Sequence, residues 1–234
     1  MKNKIKKIIF LPRFFIEFFK FKKLDDGRFK IKISPYLLDR TPTTGFEPHY
    51  VYHPAWAMRI IAKNNPKLHV DFSSTLNFCT SLSAFVPTQF YDYRPANLKL
   101  DNLETKKGDL TNIDLKDNSV ESLSCMHTVE HVGLGRYGDE IDPQGDLKAI
   151  NELKRVLAVG GALLFVVPVG KPRIEFNGHR IYSYKQIMES FSDLKLKEYS
   201  LIPDNACEVG MIKDASEEIT DKQNWGCGCF WFTK

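Results

Sequence analysis

The chain has 234 residues, 33 basic and 29 acidic, for a formal charge of +4, with 43% apolar and 26% charged residues. Those fractions exclude a disordered or collagen-like chain and leave ample length for one α/β domain with a tail. Residues 1–24 hold eight basic residues against one acid, Glu17, a net of +7, so the other 210 residues carry −3 and no general nucleic-acid-binding surface is expected. Five cysteines at uneven spacing argue for reduced thiols in a cytoplasmic protein, not a secreted disulfide framework. No apolar run approaches the length of a helical membrane span.

The first segment, residues 1–24, imitates a signal peptide, but Pro12, Arg13 and Glu17 interrupt its apolar run and no small-residue cleavage site follows. After Pro12, phenylalanines at 14, 15, 18 and 19 keep helical spacing among lysines. A basic, aromatic, amphipathic helix suits peripheral contact with an anionic membrane, on the inner face of the cell membrane for a cytoplasmic protein. The same pattern equally suits a helix packed on the domain or on a second subunit. The oligomeric state cannot be read from it.

Residues 25–64 read as an irregular lead-in with three prolines, Pro35, Pro42 and Pro48, followed by a short helix opened by Pro54. From residue 65 to 234, strands and helices alternate. Strands are predicted at Leu68–Phe72, Gln89–Tyr93, Ser119–Met126, Ala162–Val167, Leu194–Leu201 and Cys229–Thr233. Helices are predicted at Thr75–Phe85 and at Asp146–Val159, the latter with Leu147, Ile150, Leu153, Val156 and Leu157 on one face, Asp146 as cap and Gly160-Gly161 as its end. Ser183 and Gln186 form a capping box for a third. Such alternation implies a mostly parallel sheet with helices on both faces, whose ligands bind at the carboxyl ends of the strands.

Asp71 and Asp92 end the first two predicted strands, 21 positions apart, the spacing at which a doubly wound fold sets an acid against ribose hydroxyls. Residues 108–170 are more specific. They contain Gly108-Asp109-Leu110, Asp117-Asn118-Ser119, Glu130-His131, Glu152-Leu153 with Arg155-Val156-Leu157, and Gly160-Gly161-Ala162-Leu163. In order and spacing this resembles the class I S-adenosylmethionine-dependent methyltransferases. The run from His131 to Asp146, with Phe176 to Ser183 downstream, resembles a bacterial subgroup catalogued as a domain of unknown function, family 268.

The resemblance covers roughly residues 65–234 and implies a Rossmann-like, seven-stranded, mostly parallel sheet with an antiparallel last strand. It implies S-adenosylmethionine as cofactor and methyl transfer to a small acceptor; for the subgroup, a sugar or lipid-linked glycan of the cell envelope. By position, Asp92 would hold the ribose hydroxyls, Asp109 the adenine amino group, Leu110 the ring, and His127 would sit near the methionine end. His131 is the first candidate base for a hydroxyl acceptor, because imidazole exchanges a proton near neutral pH; His127 and His179 follow. In the acceptor region, Arg136, Tyr137 and the segment from Phe176 to Arg180 are candidates for acceptor contact.

The chain departs from the family at its first strand–helix turn. Where the pattern has three glycines after the aspartate, Ser73, Thr75 and Asn77 stand here. Threonine enters the left-handed region poorly, so either the turn, with Asp71 among its cofactor-binding residues, binds by another path, with the Ser73 and Ser74 hydroxyls on the cofactor's carboxylate, or the chain is a non-catalytic binding module that keeps only the fold. His127-Thr128-Val129-Glu130-His131 is also a literal H-x-x-E-H, which on a helix would suit zinc proteolysis. It follows a strand and precedes Gly133 and Gly135, so that reading is set aside and no metal is expected. Another role for His127 and His131 is to order the loop they sit in. Cys227 and Cys229 are expected as free, buried thiols.

Overall fold

The computed structural model describes residues 2–234, with side chains described from residue 9 onward. The chain divides into two compact units, residues 1–46 and residues 47–234. In the first, helix α1 (Lys2–Leu24) runs through Pro12, and residues 25–46 are irregular. Glu17 bridges this unit internally, pairing with Arg13 at 2.9 Å and Arg40 at 3.1 Å.

The second unit opens with α2 (Pro48–Asn64), six residues earlier than expected. Pro48, not Pro54, occupies the first turn, where its missing N–H is no loss, and the Glu47 side chain accepts from the His49 N–H. Then follow β1 (His69–Phe72), α3 (Leu76–Leu82), β2 (Thr88–Asp92), β3 (Leu103–Lys107), β4 (Val120–Met126), α4 (Gly145–Val156) and β5 (Leu157–Val169). The chain continues through β6 (Arg173–Glu175), β7 (His179–Ile181), α5 (Tyr184–Ser190), β8 (Lys195–Ile202), α6 (Ala206–Val209), β9 (Ile212–Lys213), α7 (Glu217–Asp221) and β10 (Gly226–Thr233).

The main sheet has eight strands in the order β3-β2-β1-β4-β5-β10-β8-β9. The first five in that order run parallel, and β10 lies antiparallel between β5 and β8. This is the expected sheet with one addition: two-residue β9 extends the far edge beyond seven strands. Strands β6 and β7 form a separate hairpin that the sequence pattern did not reveal.

Strand β5 explains why both faces carry helices. Leu163, Phe165 and Val167 enter one core with Ala149, Ile150 and Leu153 of α4, while Leu164 and Val166 enter the other with Trp56, Ile60, Phe78 and Leu82 of α2 and α3. A continuous apolar run is what a strand covered on both sides requires. Several expectations fail around α4, which ends at Val156, so that Leu157 belongs to β5. Gly160-Gly161 lie inside β5, at an irregularity in its pairing with β4, and do not end the helix. Asp146 makes no cap: it accepts from the Tyr182 hydroxyl at 2.9 Å and faces Arg180 at 3.5 Å, while Leu147 is exposed.

The strand order reverses between β1 and β4, so connections leave those two strands in opposite directions and open a crevice at their carboxyl ends.

Candidate functional site

That crevice is a cleft of about 500 Å³ lined by residues following β1, β2, β3 and β4, among them Ser73, Asp92, Asp109, Leu110, His127 and His131. Six of the sequence-predicted site residues therefore converge on one cavity. Asp71, Ser74 and His179 do not line it.

The first turn is the part the altered glycine slots put in question. Ser73 adopts φ 56°, the left-handed conformation for which glycine is usual, and its N–H donates to the Tyr91 carbonyl at 2.8 Å. Thr75 needs no such conformation: at φ −72° it caps α3, its hydroxyl accepting from the Phe78 N–H, and Asn77 lies within the helix. Only one slot demands positive φ, and a serine fills it. The expectation that Ser74 offers its hydroxyl to a ligand is corrected, because the buried Ser74 Oγ accepts from the Met126 N–H at 3.1 Å. Asp71 is corrected likewise. It is fully buried behind the turn, accepting from the Ser74 N–H at 3.0 Å and from the Ser124 hydroxyl. Burial pushes its carboxyl up to about 6, against the pull of those hydrogen bonds.

Asp92 and Asp109 face the cleft at the ends of β2 and β3. Each uses one carboxylate oxygen locally: Asp92 Oδ1 accepts from the Arg94 N–H at 2.6 Å, and Asp109 Oδ1 from the N–H and hydroxyl of Thr111 at 2.8 and 2.7 Å. Their Oδ2 atoms accept from no protein group among the described residues. Gly108 lets this edge close up, since a Cβ there would lie 2.9 Å from that of Tyr91.

After β4 the chain makes a single 3-10 turn, Val129–His131, so H-x-x-E-H lies on no α-helix. His127, at φ 56°, bonds Glu130 Oε1 through Nδ1 at 2.9 Å. His131 donates Nδ1–H to the Gly178 carbonyl at 2.6 Å, which in a neutral ring leaves Nε2 as the lone-pair nitrogen, 3.8 Å from the same Glu130 Oε1. His179 lies beside it, ring centroids 6.3 Å apart, with Nε2 3.6 Å from Glu175. Desolvation holds the His179 imidazole below its ordinary value.

The loop from Gly133 to Asp146 forms the cleft's outer wall. Its organiser is Asp139, whose carboxylate accepts from the N–H groups of Gly133, Gly135 and Tyr137. Burial raises that carboxyl, but the backbone donors prevail and hold it below the usual range. Gly133, at φ 79°, is obligatory: a Cβ would run into the Asp142 carbonyl. The Tyr137 ring sits under the guanidinium groups of Arg94 at 4.8 Å and Arg136 at 5.2 Å. Arg180 is a correction among the acceptor candidates. It is buried, donating to the Val132 carbonyl at 2.7 Å and to Glu130 and Pro143, and so clamps the loop.

Residues 108–209 match the family described as Caenorhabditis protein of unknown function, DUF268. The subgroup expected from the sequence is thus found under its number, with a Caenorhabditis description in place of a bacterial one. Solved structures share the architecture. The fold is that of the class I methyltransferases. The Burkholderia thailandensis 1,6-didemethyltoxoflavin-N1-methyltransferase, which holds 1,6-didemethyltoxoflavin and S-adenosylhomocysteine, superposes with a TM-score of 0.55 at 9% identity, over 78% of this chain and 79% of that one. A TehB-like S-adenosylmethionine-dependent methyltransferase from Corynebacterium glutamicum gives 0.50 at 14%, over 79% and 88%. The cyclase SpnF gives 0.52 at 12%, over 77% and 81%. A shared fold that includes a cyclase does not name the reaction. No curated protein matches the chain by sequence.

Proposed function

We propose that this chain binds S-adenosylmethionine in the cleft and transfers its methyl group to a small acceptor, with a sugar or lipid-linked glycan of the cell envelope as the acceptor class. The observation that carries this reading is the convergence of Ser73, Asp92, Asp109 and Leu110 on one cavity at the sheet's switch point. The residues fit the cofactor. Asp92, with a free oxygen, would accept from the vicinal ribose hydroxyls, Asp109 from the adenine amino group, and Leu110 would lie against the ring. Ser73, which lines the cleft, would lie against the methionine end, with Asp71 and Ser74 supporting the turn from behind.

S-adenosylmethionine supplies a methyl group already activated on a sulfonium. The protein is left to align the acceptor and remove its proton. His131 is suited to that task, since the Gly178 carbonyl fixes its tautomer with Nε2 unprotonated. His131 Nε2 would accept the proton that an acceptor hydroxyl must lose. Labelled methyl transfer from S-adenosylmethionine to envelope glycan fractions tests this. Label should appear with the wild-type chain and fall about 100-fold or more in His131→Gln. Equal labelling by both would reject His131 as the base, and no labelling would reject the acceptor class.

Helix α1 supports placement at a membrane face. Phe10, Phe15 and Phe19 are exposed beside Lys20, Lys22 and Lys23, and no helix among the described residues is long and apolar enough to cross a membrane. Full-length chain should cosediment with vesicles containing phosphatidylserine and be released by salt; equal binding to neutral vesicles would contradict an electrostatic attachment.

A further inference from the structure

Behind the cleft lies a group of buried side chains that the methyl-transfer reading does not use. His49 and His53 stand four residues apart on α2, a spacing that puts both on one helix face. Their rings pack on His127 with centroids 5.2 Å apart in each case, the His49 ring nearly parallel to it at 15°. Cys227, fully buried on β10, completes the group. One ligand atom from each of His49, His127 and Cys227 lies within 4.8 Å of the others.

Among the described residues four ring nitrogens here have no hydrogen-bond partner, Nδ1 of His49, both nitrogens of His53 and Nε2 of His127, and Glu130 Oε2 has none either. His49 is 4% exposed, His53 0% and Glu130 1%. Orphaned polar atoms at such depth cost roughly 1–3 kcal/mol each, and one such atom is unusual. Two of them, on His49 and His127, belong to residues whose ligand atoms lie within 4.8 Å of each other and of Cys227 Sγ, so one partner can serve both.

We propose that His49 Nδ1, His127 Nε2 and Cys227 Sγ bind a divalent transition-metal ion, with zinc as the fitting class. Two imidazoles and a thiol suit a borderline-soft ion and disfavour magnesium or calcium. Tetrahedral zinc with these ligands has edges of about 3.5 Å, so the observed separations close by side-chain rotation of roughly 1 Å. Glu130 takes the supporting part. By accepting from His127 Nδ1–H it leaves Nε2 with its lone pair facing the group, the carboxylate–histidine arrangement that orients metal ligands. On binding, the Cys227 S–H bond breaks, a sulfur–metal bond forms and the proton leaves to solvent. Three protein ligands leave a fourth position, and His127 also lines the cleft, which puts that position within reach of a bound acceptor.

The test uses tag-free, full-length protein purified from zinc-supplemented medium. Elemental analysis after dialysis should find about one zinc per chain, and cobalt(II) added to metal-stripped protein should give a sulfur-to-cobalt charge-transfer band. Cys227→Ser, nearly isosteric, should abolish the band and weaken cobalt binding at least tenfold; His49→Asn should weaken it similarly. Cys207→Ser, at the exposed thiol, should leave the band intact. Wild-type protein with less than about a tenth of an equivalent of zinc and no cobalt band overturns the site, whether or not the variants fold. A band that survives Cys227→Ser overturns the assignment of the thiolate. Neither readout depends on S-adenosylmethionine.

Discussion

Asp71 on β1 and Ser124 on β4 are register partners, and the Ser124 hydroxyl donates to the Asp71 carboxylate at a point where both are fully buried. The bond ends a relay. The Ser122 hydroxyl donates to His69 Nδ1 at 2.8 Å, and His69 Nε2–H donates to Ser124 Oγ at 2.8 Å, an order that requires a neutral imidazole. Burial accordingly holds His69 down to about 3.

This relay makes stability depend on pH in a stated direction. The Asp71 carboxyl titrates at about 6 in the fold against 3.8 ordinarily, so its contribution favours folding below 3.8 and is lost as pH rises through about 6. Asp71→Asn removes the titrating group. From pH 5 to pH 7 the variant should gain about 1 kcal/mol relative to wild type in urea unfolding. A difference independent of pH would show that Asp71 is not held in its neutral form by burial.

Ser73 occupies the left-handed region where the related pattern has glycine, and the strain falls on backbone, not on hydrogen bonding. Ser73→Gly should leave thermal stability equal or higher. Ser73→Val, β-branched, should lower it by about 1–2 kcal/mol. Loss of stability in both variants would mean that the weak hydroxyl contact to Tyr91, at 3.3 Å, governs the turn instead.

Much of this architecture was legible because strands buried on both faces leave continuous apolar runs, as β5 does. Strand β3 was not, since its sequence, LETKK, is the charged composition of an exposed edge, and only parallel pairing to β2 makes it a strand. The cleft carboxylate Asp92 could be found from a strand end, whereas Asp109, which follows the unpredicted β3, came only from the resemblance. The burial of Asp71 could not, because a residue at a strand end turns inward or outward according to which neighbours accept its charge. Arg180 shows the same limit: a basic residue in an acceptor-like segment proved to satisfy three backbone carbonyls. The His49–His53 pair was hidden by starting α2 at Pro54. With the helix begun at Pro48, a histidine repeat at four-residue spacing is visible in the sequence. Hydrogen bonding carried the remaining detail, including the His131 tautomer, and no sequence pattern encodes it.

We propose that a nucleoside thioether occupies the cleft with its ribose on Asp92. Isothermal titration of S-adenosylhomocysteine into the full-length chain and into Asp92→Ala tests it most directly. The wild type should bind with micromolar affinity and the variant at least tenfold more weakly, a loss of about 1.4 kcal/mol. Absence of binding heat with the wild type, or equal affinity in the two proteins, would contradict it.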